Sequence, residues 1–361
     1  MTNSKDNRTK GPNVPPLRFP GFTDEWKKKT IGEVAPLQRG FDLPTQQLEE
    51  GEYPVVYSNG IMNHHASYKC KAPGIITGRS GTVGKFTYID DGYYWPHNTS
   101  LWVTSFFDNS PKFIYYLYQT IRIEQYSTGS GVPTLNRNDV HRHKVRIPKS
   151  IDEQNKIARL LSILDERIAT QNKIIDNLQS LIKGLREYIF KKQYSDYVYL
   201  GDIAQLYQPR TISTSDLEQT GYLVYGANGV IGHYHSYNHE RPQICITCRG
   251  NTCGQVTLTS PFSWITGNAM VINIDTNNSV DQSFLFHFLS SYNYTSIISG
   301  SGQPQIVRSP LEKIKVPFPE LYRQQKISNV FNTITDMLSL EQTLLVYYQR
   351  QKEFLLRQMF I

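Results

Sequence analysis

Ile31-Gly32-Glu33-Val34-Ala35 decides how the rest of this chain is read, because it returns as Leu200-Gly201-Asp202-Ile203-Ala204. Asn59-Gly60 returns as Asn228-Gly229, and Gly129-Ser130-Gly131 as Gly300-Ser301-Gly302. The period is about 170 residues, far beyond the units of solenoid repeats, so each copy is a whole domain. A duplicated domain holds two similar sites, and the remaining sequence bears on what they bind.

Outward from the first copy, residues 1–15 are polar and contain Gly11, Pro12 and Pro15, which reads as a disordered leader. Residues 16–149 form the first domain, with short runs of Tyr, Val, Ile and Phe broken by Gly and Asn turns, the pattern of β-strands. Phe113–Tyr118 and Phe284–Leu289 lack breakers and read as short helices. At Ser150 the period changes. Ser150 with Glu153 makes a capping-box pattern, and Ile157, Leu161, Leu164, Ile168, Gln171, Ile175, Leu178, Ile182, Leu185 and Ile189 alternate by four and three, the seam of a coiled coil. Residues 150–193 are therefore a first long helix, 194–320 a second domain and 321–361 a second long helix. The second seam is looser: Ile327, Phe331, Ile334, Leu338, Glu341, Leu345, Tyr348, Lys352, Leu355 and Met359. The expected fold class is α+β, two tandem β-rich domains each followed by a long helix, the helices pairing as an antiparallel coiled coil. Gln171 and Glu341 would then meet, either setting its register or standing as tolerated mismatches.

Beside each seam runs a second apolar row, Leu160, Ile174, Leu181 and Tyr188 on the first helix and Val330, Met337 and Leu344 on the second. These positions are usually charged in a self-contained coil. Either the helices pack on their own domains or they join a larger bundle; the shared frame of the two rows favours helices from a partner protein.

The chain has 361 residues, 39% of them hydrophobic, enough for two sizeable cores. No apolar run approaches the roughly 18 residues of a membrane span, and the N-terminus lacks a signal-peptide core, so a cytoplasmic location is expected. The net charge of +7 is unevenly placed. Residues 1–193 hold 27 Lys and Arg against 19 Asp and Glu, residues 194–361 only 11 against 12. If both copies bind a polyanion, the second must lean on uncharged donors.

Catalytic patterns are missing. Gly78–Lys85 resembles a phosphate-binding loop, but Arg79 stands where its first glycine should and Phe86 at its Ser/Thr position. Cys245, Cys248 and Cys253 are spaced like metal ligands, yet their counterparts Ile75, Gly78 and Val83 bind no metal, so they read as small strand residues. His64 and His233 recur, as do Glu33 and Asp202, without evident partners. No metal site or catalytic residue is assigned; the chain reads as a binder.

Duplication sorts the candidate DNA contacts. Residues matched between copies serve the scaffold or contact phosphate, while differing residues serve what distinguishes the two sites, since phosphates position and bases specify. Matched by alignment are Asn59 with Asn228, Arg79 with Arg249, Asn98 with Asn268, Ser130 with Ser301, Arg137 with Arg308 and Lys144 with Lys315. Differing are Gly81 against Asn251, Lys85 against Gln255, His97 against Gly267 and Val132 against Gln303, the base-reading candidates.

The opening Arg18-Phe19-Pro20-Gly21-Phe22 with Trp26, the two domain starts quoted first, the turns Gly78–Gly84 and Cys248–Gly254, the segments Gly129–Arg137 and Gly300–Arg308, and the helix starts Glu153–Ala158 and Arg323–Ser328 together resemble the DNA-specificity subunits of type I restriction-modification systems. The resemblance implies two target-recognition domains, each reading half of a bipartite double-stranded DNA target, with the helices as a spacer. It also implies a non-catalytic role beside modification (methyltransferase) subunits and restriction (translocase and nuclease) subunits, two of each. S-adenosylmethionine, ATP and Mg are expected on those partners, and no cofactor on this chain. Two other readings have distinct signatures: a self-sufficient nuclease would show metal-dependent cleavage alone, and a protein scaffold would lack salt-dependent DNA affinity.

Overall fold

The computed structural model describes residues 13–129, 131–192, 194–227, 229–300 and 302–361. The chain divides into two compact units, Met1–Thr170 with Leu344–Ile361, and Gln171–Thr343.

The first unit opens with β1 (Lys27–Thr30) and the single turn α1 (Ile31–Val34). Glu33 accepts the Thr30 N–H at 2.7 Å and the Thr30 hydroxyl at 2.8 Å, closing a capping box. The Thr30 backbone and then its hydroxyl hold the Glu33 carboxyl below its usual range. The acidic residue at the domain start thus has a local structural partner in the first copy. Then follow β2 (Leu37–Arg39), β3 (Tyr53–Tyr57), β4 (Gly60–His65), β5 (Cys70–Lys71), β6 (Gly74–Gly78), β7 (Phe86–Ile89), β8 (Tyr93–Pro96) and β9 (Ser100–Val103). They form two four-stranded sheets, β2-β9-β6-β7 and β4-β3-β8-β5, with β3 and β8 parallel. α2 (Pro111–Thr120), the short ladder β10 (Ser127–Thr128) with β11 (Thr134–Leu135), α3 (Arg137–His141) and β12 (Lys144–Ile147) complete the domain, β12 returning to pair with β1.

α4 (Ile151–Phe190) has 40 residues, about 60 Å at 1.5 Å per residue. Its start differs in one respect from the capping box expected there. The Glu153 N–H does reach the Ser150 hydroxyl, at 3.4 Å. The Glu153 carboxylate, however, turns inward: Arg18 donates to it twice, at 2.6 and 2.8 Å, and Trp26 Nε1 at 3.2 Å. A buried carboxylate needs a charged, hydrogen-bonded partner more than a helix end needs a second cap. Gln154 is buried beside it and serves the backbone, accepting from Ser110 N at 2.9 Å and donating to Pro148 O at 3.1 Å. Ile157, Leu161 and Leu164 join Trp26, Phe113, Leu355, Met359 and Phe360 in the core.

The second unit repeats the plan. β13 (Tyr197–Tyr199), α5 (Leu200–Ile203), β14 (Gln205–Tyr207), β15 (Tyr222–Gly226), β16 (Gly229–Tyr234), β17 (Ile244–Thr247), β18 (Val256–Leu258), β19 (Trp264–Ile265) and β20 (Ala269–Asn273) give sheets β14-β20-β17-β18 and β16-β15-β19, the last pair parallel. α6 (Gln282–Ser291), α7 (Arg308–Glu312), β21 (Lys315–Pro317) and α8 (Leu321–Met359) follow. Gln324 repeats the role of Gln154, accepting from Asp281 N at 2.9 Å and donating to Pro319 O at 2.9 Å. The paired glutamines explain why Gln stands second in both helix-start motifs.

Within this unit Gln171 Nε2 donates to Glu341 O at 3.1 Å and also contacts the Glu341 carboxylate. Phe190, nineteen residues further along α4, stacks on Phe331, ten residues back along α8. Among the described residues, no helix is long and apolar enough to cross a membrane.

Candidate nucleic-acid interface

In the first domain five loops converge at one end of the sheets. The turn after β6 is tight: a Cβ on Gly78 would lie 1.7 Å from Thr82 O, and Gly81 has φ +80° while its N–H donates to Pro133 O at 3.1 Å. Gly81, expected to read bases, is there because the backbone needs a left-handed residue. Arg79 Nη1 donates to Asn98 O at 3.2 Å, and Lys85 Nζ donates to Asn59 O at 2.9 Å. His97 packs its ring against Tyr57, centroids 4.2 Å apart and planes tilted by 35°, and burial pushes its imidazole below the ordinary value, so it is neutral at pH 7. Asn98 Nδ2 donates to Asp42, which Arg39 Nη2 also reaches at 3.0 Å. The Asn98 amide first, then the Arg39 charge, hold Asp42 ionised below the usual carboxylate range.

The second domain builds the equivalent end from different side chains. Gln208 Nε2 donates to Cys248 Sγ at 2.9 Å and to Gly267 O at 3.1 Å. Gly250, at φ +87°, donates to Pro304 O at 3.0 Å. Arg249, Asn251, Gln255, Asn268 and Gln303 are all exposed around it. Cys245 and Cys248 are buried in the strand region, and burial pushes the Cys245 thiol up to about 12. Among the described residues, no group of three or more His, Cys, Asp or Glu is placed to hold a metal.

Hydrogen bonding corrects the alignment of the copies by one residue. Arg79 N donates to Thr99 O as Cys248 N donates to Asn268 O; Leu135 N donates to Arg79 O as Ile306 N donates to Cys248 O; Ser100 N donates to His97 O as Ala269 N donates to Thr266 O. The structural counterpart of Arg79 is therefore Cys248, of Ser80 Arg249, of Asn98 Gly267, of Thr99 Asn268 and of His97 Thr266. Gly81 corresponds to Gly250, and one extra residue between Gly250 and Gly254 restores the match of Lys85 with Gln255. Aligning identical letters hides this, because an inserted residue in a turn leaves the flanking ladders intact, whereas a shifted ladder would turn every side chain over. Arg79 and Asn98 thus move from the shared set to the differing set.

Other candidates lie elsewhere. Arg137 and Arg308 open α3 and α7, exposed, with Arg308 paired to Glu312 at 2.6 Å. Lys144 and Lys315 sit in the β1/β12 and β13/β21 ribbons, apart from the converging loops. The ribbons also locate part of the charge difference: Lys28 and Lys29 face Arg146 and Val145, where the second copy has Tyr197 and Val198 against Pro317 and Val316. Val132 is exposed beside Pro133. Ser130, Asn228 and Ser301, like residues 1–12 of the expected leader, lie outside the described residues. Sequence reasoning does not single out Arg39, Asp42, Tyr57 or Gln208; a comparison of the copies in the structural register sets Asp42 against Thr211.

On the helices, Ile174, Leu181, Tyr188, Val330, Met337 and Leu344 are exposed. Leu160 departs from that row and packs against the first core. Leu340, Tyr347 and Phe354 add further exposed apolar residues to α8.

Comparison with known proteins agrees with this arrangement. The type I restriction modification DNA specificity domain matches twice, over residues 23–180 and 194–346. The specificity subunit of EcoprrI from Escherichia coli is 26% identical over 148 residues, 39% of this chain and only 36% of that protein. The putative type I specificity subunit S.MgeORF438P of Mycoplasma genitalium is 22% identical over 335 residues, covering 83% of this chain and 84% of that one. A crystal structure of a type I S subunit from M. genitalium shares the fold with a TM-score of 0.73 at 18% identity, covering 96% of this chain and 99% of the other. The chain belongs to the type I restriction-modification DNA specificity family, whose members are non-catalytic, and carries two copies of the family's domain.

Proposed function

We propose that this chain directs partner subunits to a bipartite duplex target, its first domain reading one half-site and its second the other. The observation that carries the reading is the pair of converging loop ends: the same backbone, built twice, displays different side chains. A shared grip with unlike readers is what an asymmetric two-part target requires. Asn59, Lys85, Arg79 and Asn98 in the first domain, and Arg249, Asn251, Gln255 and Gln303 in the second, are the groups offered to DNA.

α4 and α8 act as an antiparallel coiled coil that sets the spacer, with Gln171 and Glu341 fixing its register; their hydrogen bond and the inward seam support this. The exposed apolar rows receive helices of the modification subunits, which bring S-adenosylmethionine and methylate adenine. Restriction subunits, two like the modification subunits, bring ATP and Mg. The complex works in the cytoplasm. Selection of bound sequences from random duplexes by the chain with its modification partner tests the reading. Two separated motifs are expected; a single contiguous motif, or none, refutes it.

A further inference from the structure

Asp42 is an anomaly in the first interface. Its side chain is 68% exposed at an end that also displays Arg39, Arg79 and Lys85. A carboxylate repels phosphate, and although Arg39 and Asn98 hold one oxygen of Asp42, the other, on a surface approached by DNA, suits a place where it meets a hydrogen-bond donor of the DNA. In the major groove the donors are the exocyclic amino groups, N4 of cytosine and N6 of adenine. Guanine O6 and thymine O4 would instead face it as acceptors and be rejected.

The surroundings hold the carboxylate in one orientation. Asn98 Nδ2 and Arg39 Nη2 both donate to its Oδ1, and Arg79 fixes the Asn98 backbone carbonyl at 3.2 Å. Because a carboxylate only accepts, the Asn98 amide must turn its nitrogen inward. That leaves Asp42 Oδ2 and Asn98 Oδ1, with no hydrogen-bond partner among the described residues, as acceptors beside an exposed carboxylate.

The corrected register gives the second, independent observation. Arg39, Asp42, Asn98 and Arg79 correspond to Gln208, Thr211, Gly267 and Cys248, so the whole array is confined to one copy. In the second domain Thr211 Oγ1 occupies the space beside Gly267 where a side chain like that of Asn98 would begin. By the division between shared and differing residues, this array belongs to discrimination.

We propose that Asp42 and Asn98 form the base-reading pair of the first domain, selecting an amino-bearing base, adenine or cytosine, at one position of its half-site. The inference deepens the proposed function and rests on it. The test is methylome sequencing of cells carrying the modification partner with the wild-type chain, Asp42→Asn or Asn98→Ala. Replacing one acceptor of Asp42 by a donor lets keto bases in, so discrimination at one position should fall by about tenfold, the scale of one good base contact. The other half-site, read without this array, stays unchanged. Asn98→Ala keeps the carbonyl that Arg79 uses and should relax the same position.

A motif unchanged at every position in both variants would overturn the inference. So would uniform loss of methylation with unaltered preference, in variants whose melting temperature matches wild type, since that assigns the pair a scaffold role. If Asp42→Asn alone melts early, Asn98→Ala decides. A wild-type chain that yields no two-part motif removes the proposed function itself, which separates the two failures.

Discussion

Deleting one heptad from each long helix, residues 172–178 and 334–340, should shorten the spacer between half-sites. The deletions keep Gln171 and Glu341 in place and preserve the seam's frame, since seven residues are removed from each strand of it. They also bring Leu181 and Leu344 to the positions of Ile174 and Met337, so the exposed apolar rows stay continuous. Each helix loses about 10.5 Å at 1.5 Å per residue, equivalent to about three base pairs at 3.4 Å each. Three base pairs also rotate one half-site by roughly 100° about the DNA axis, given about 10.5 base pairs per turn, so affinity should fall as the spacer shortens. The assay is sequencing of methylated adenines with the deleted chain and its modification partner. A spacer of unchanged length would refute the ruler; loss of methylation at every spacer length, with the chain still bound to its partner, would show that the twist cannot be absorbed.

Four further outcomes are expected. Glu153→Ala leaves Arg18 buried without its carboxylate and should cost about 3–5 kcal/mol, the usual penalty for breaking a buried pair, read by chemical denaturation; a change below about 1 kcal/mol would show the pair behaves as a surface one. His287 is buried between Arg186, whose Nε donates to its Nδ1 at 3.1 Å, and the Phe331 ring, and burial first, then the Arg186 charge, lower its pKa to about 3. Because the unfolded chain takes up that proton first, stability should fall as pH drops from about 6.5 toward 3; His287→Asn should flatten that slope, and an identical slope would exclude His287 as its source. Lys28→Gln with Lys144→Gln should reduce the slope of log affinity against log salt by about 0.9 for each phosphate left without its cation, while Lys315→Gln tests the second ribbon; unchanged slopes would take the ribbons out of the DNA path. Leu181→Glu or Met337→Glu should abolish co-purification with the modification subunit at unchanged melting temperature, and retained binding would remove the exposed rows from that interface.

The helices are legible in the sequence because a four-three alternation survives any tertiary context: Ile157, Leu161, Leu164, Ile175 and Ile182 are buried where the spacing puts them. Leu160 is misplaced by the same pattern. Periodicity finds an apolar row but not what covers it, and here the first domain's own core does. Glu153 resembles a simple cap in the sequence because its partners Arg18 and Trp26 lie more than 120 residues away, beyond any local pattern. The converging loops are half legible. Comparing the copies finds Lys85, His97 and Asn98, but the comparison slips at the turn after β6, where an extra residue in the second copy sets identical letters opposite each other while the strands pair otherwise. Asp42 lies outside that comparison altogether. Its importance comes from being the wrong charge in its place, which only the assembled loops reveal.

The central claim is that one chain specifies a two-part target through two unlike copies of one domain. Mapping methylated adenines across a genome that carries this chain and its modification partner tests it most directly. The account predicts two short motifs separated by a fixed run of unspecified bases, both lost when the chain is removed. A contiguous motif, or methylation that persists without the chain, would contradict it.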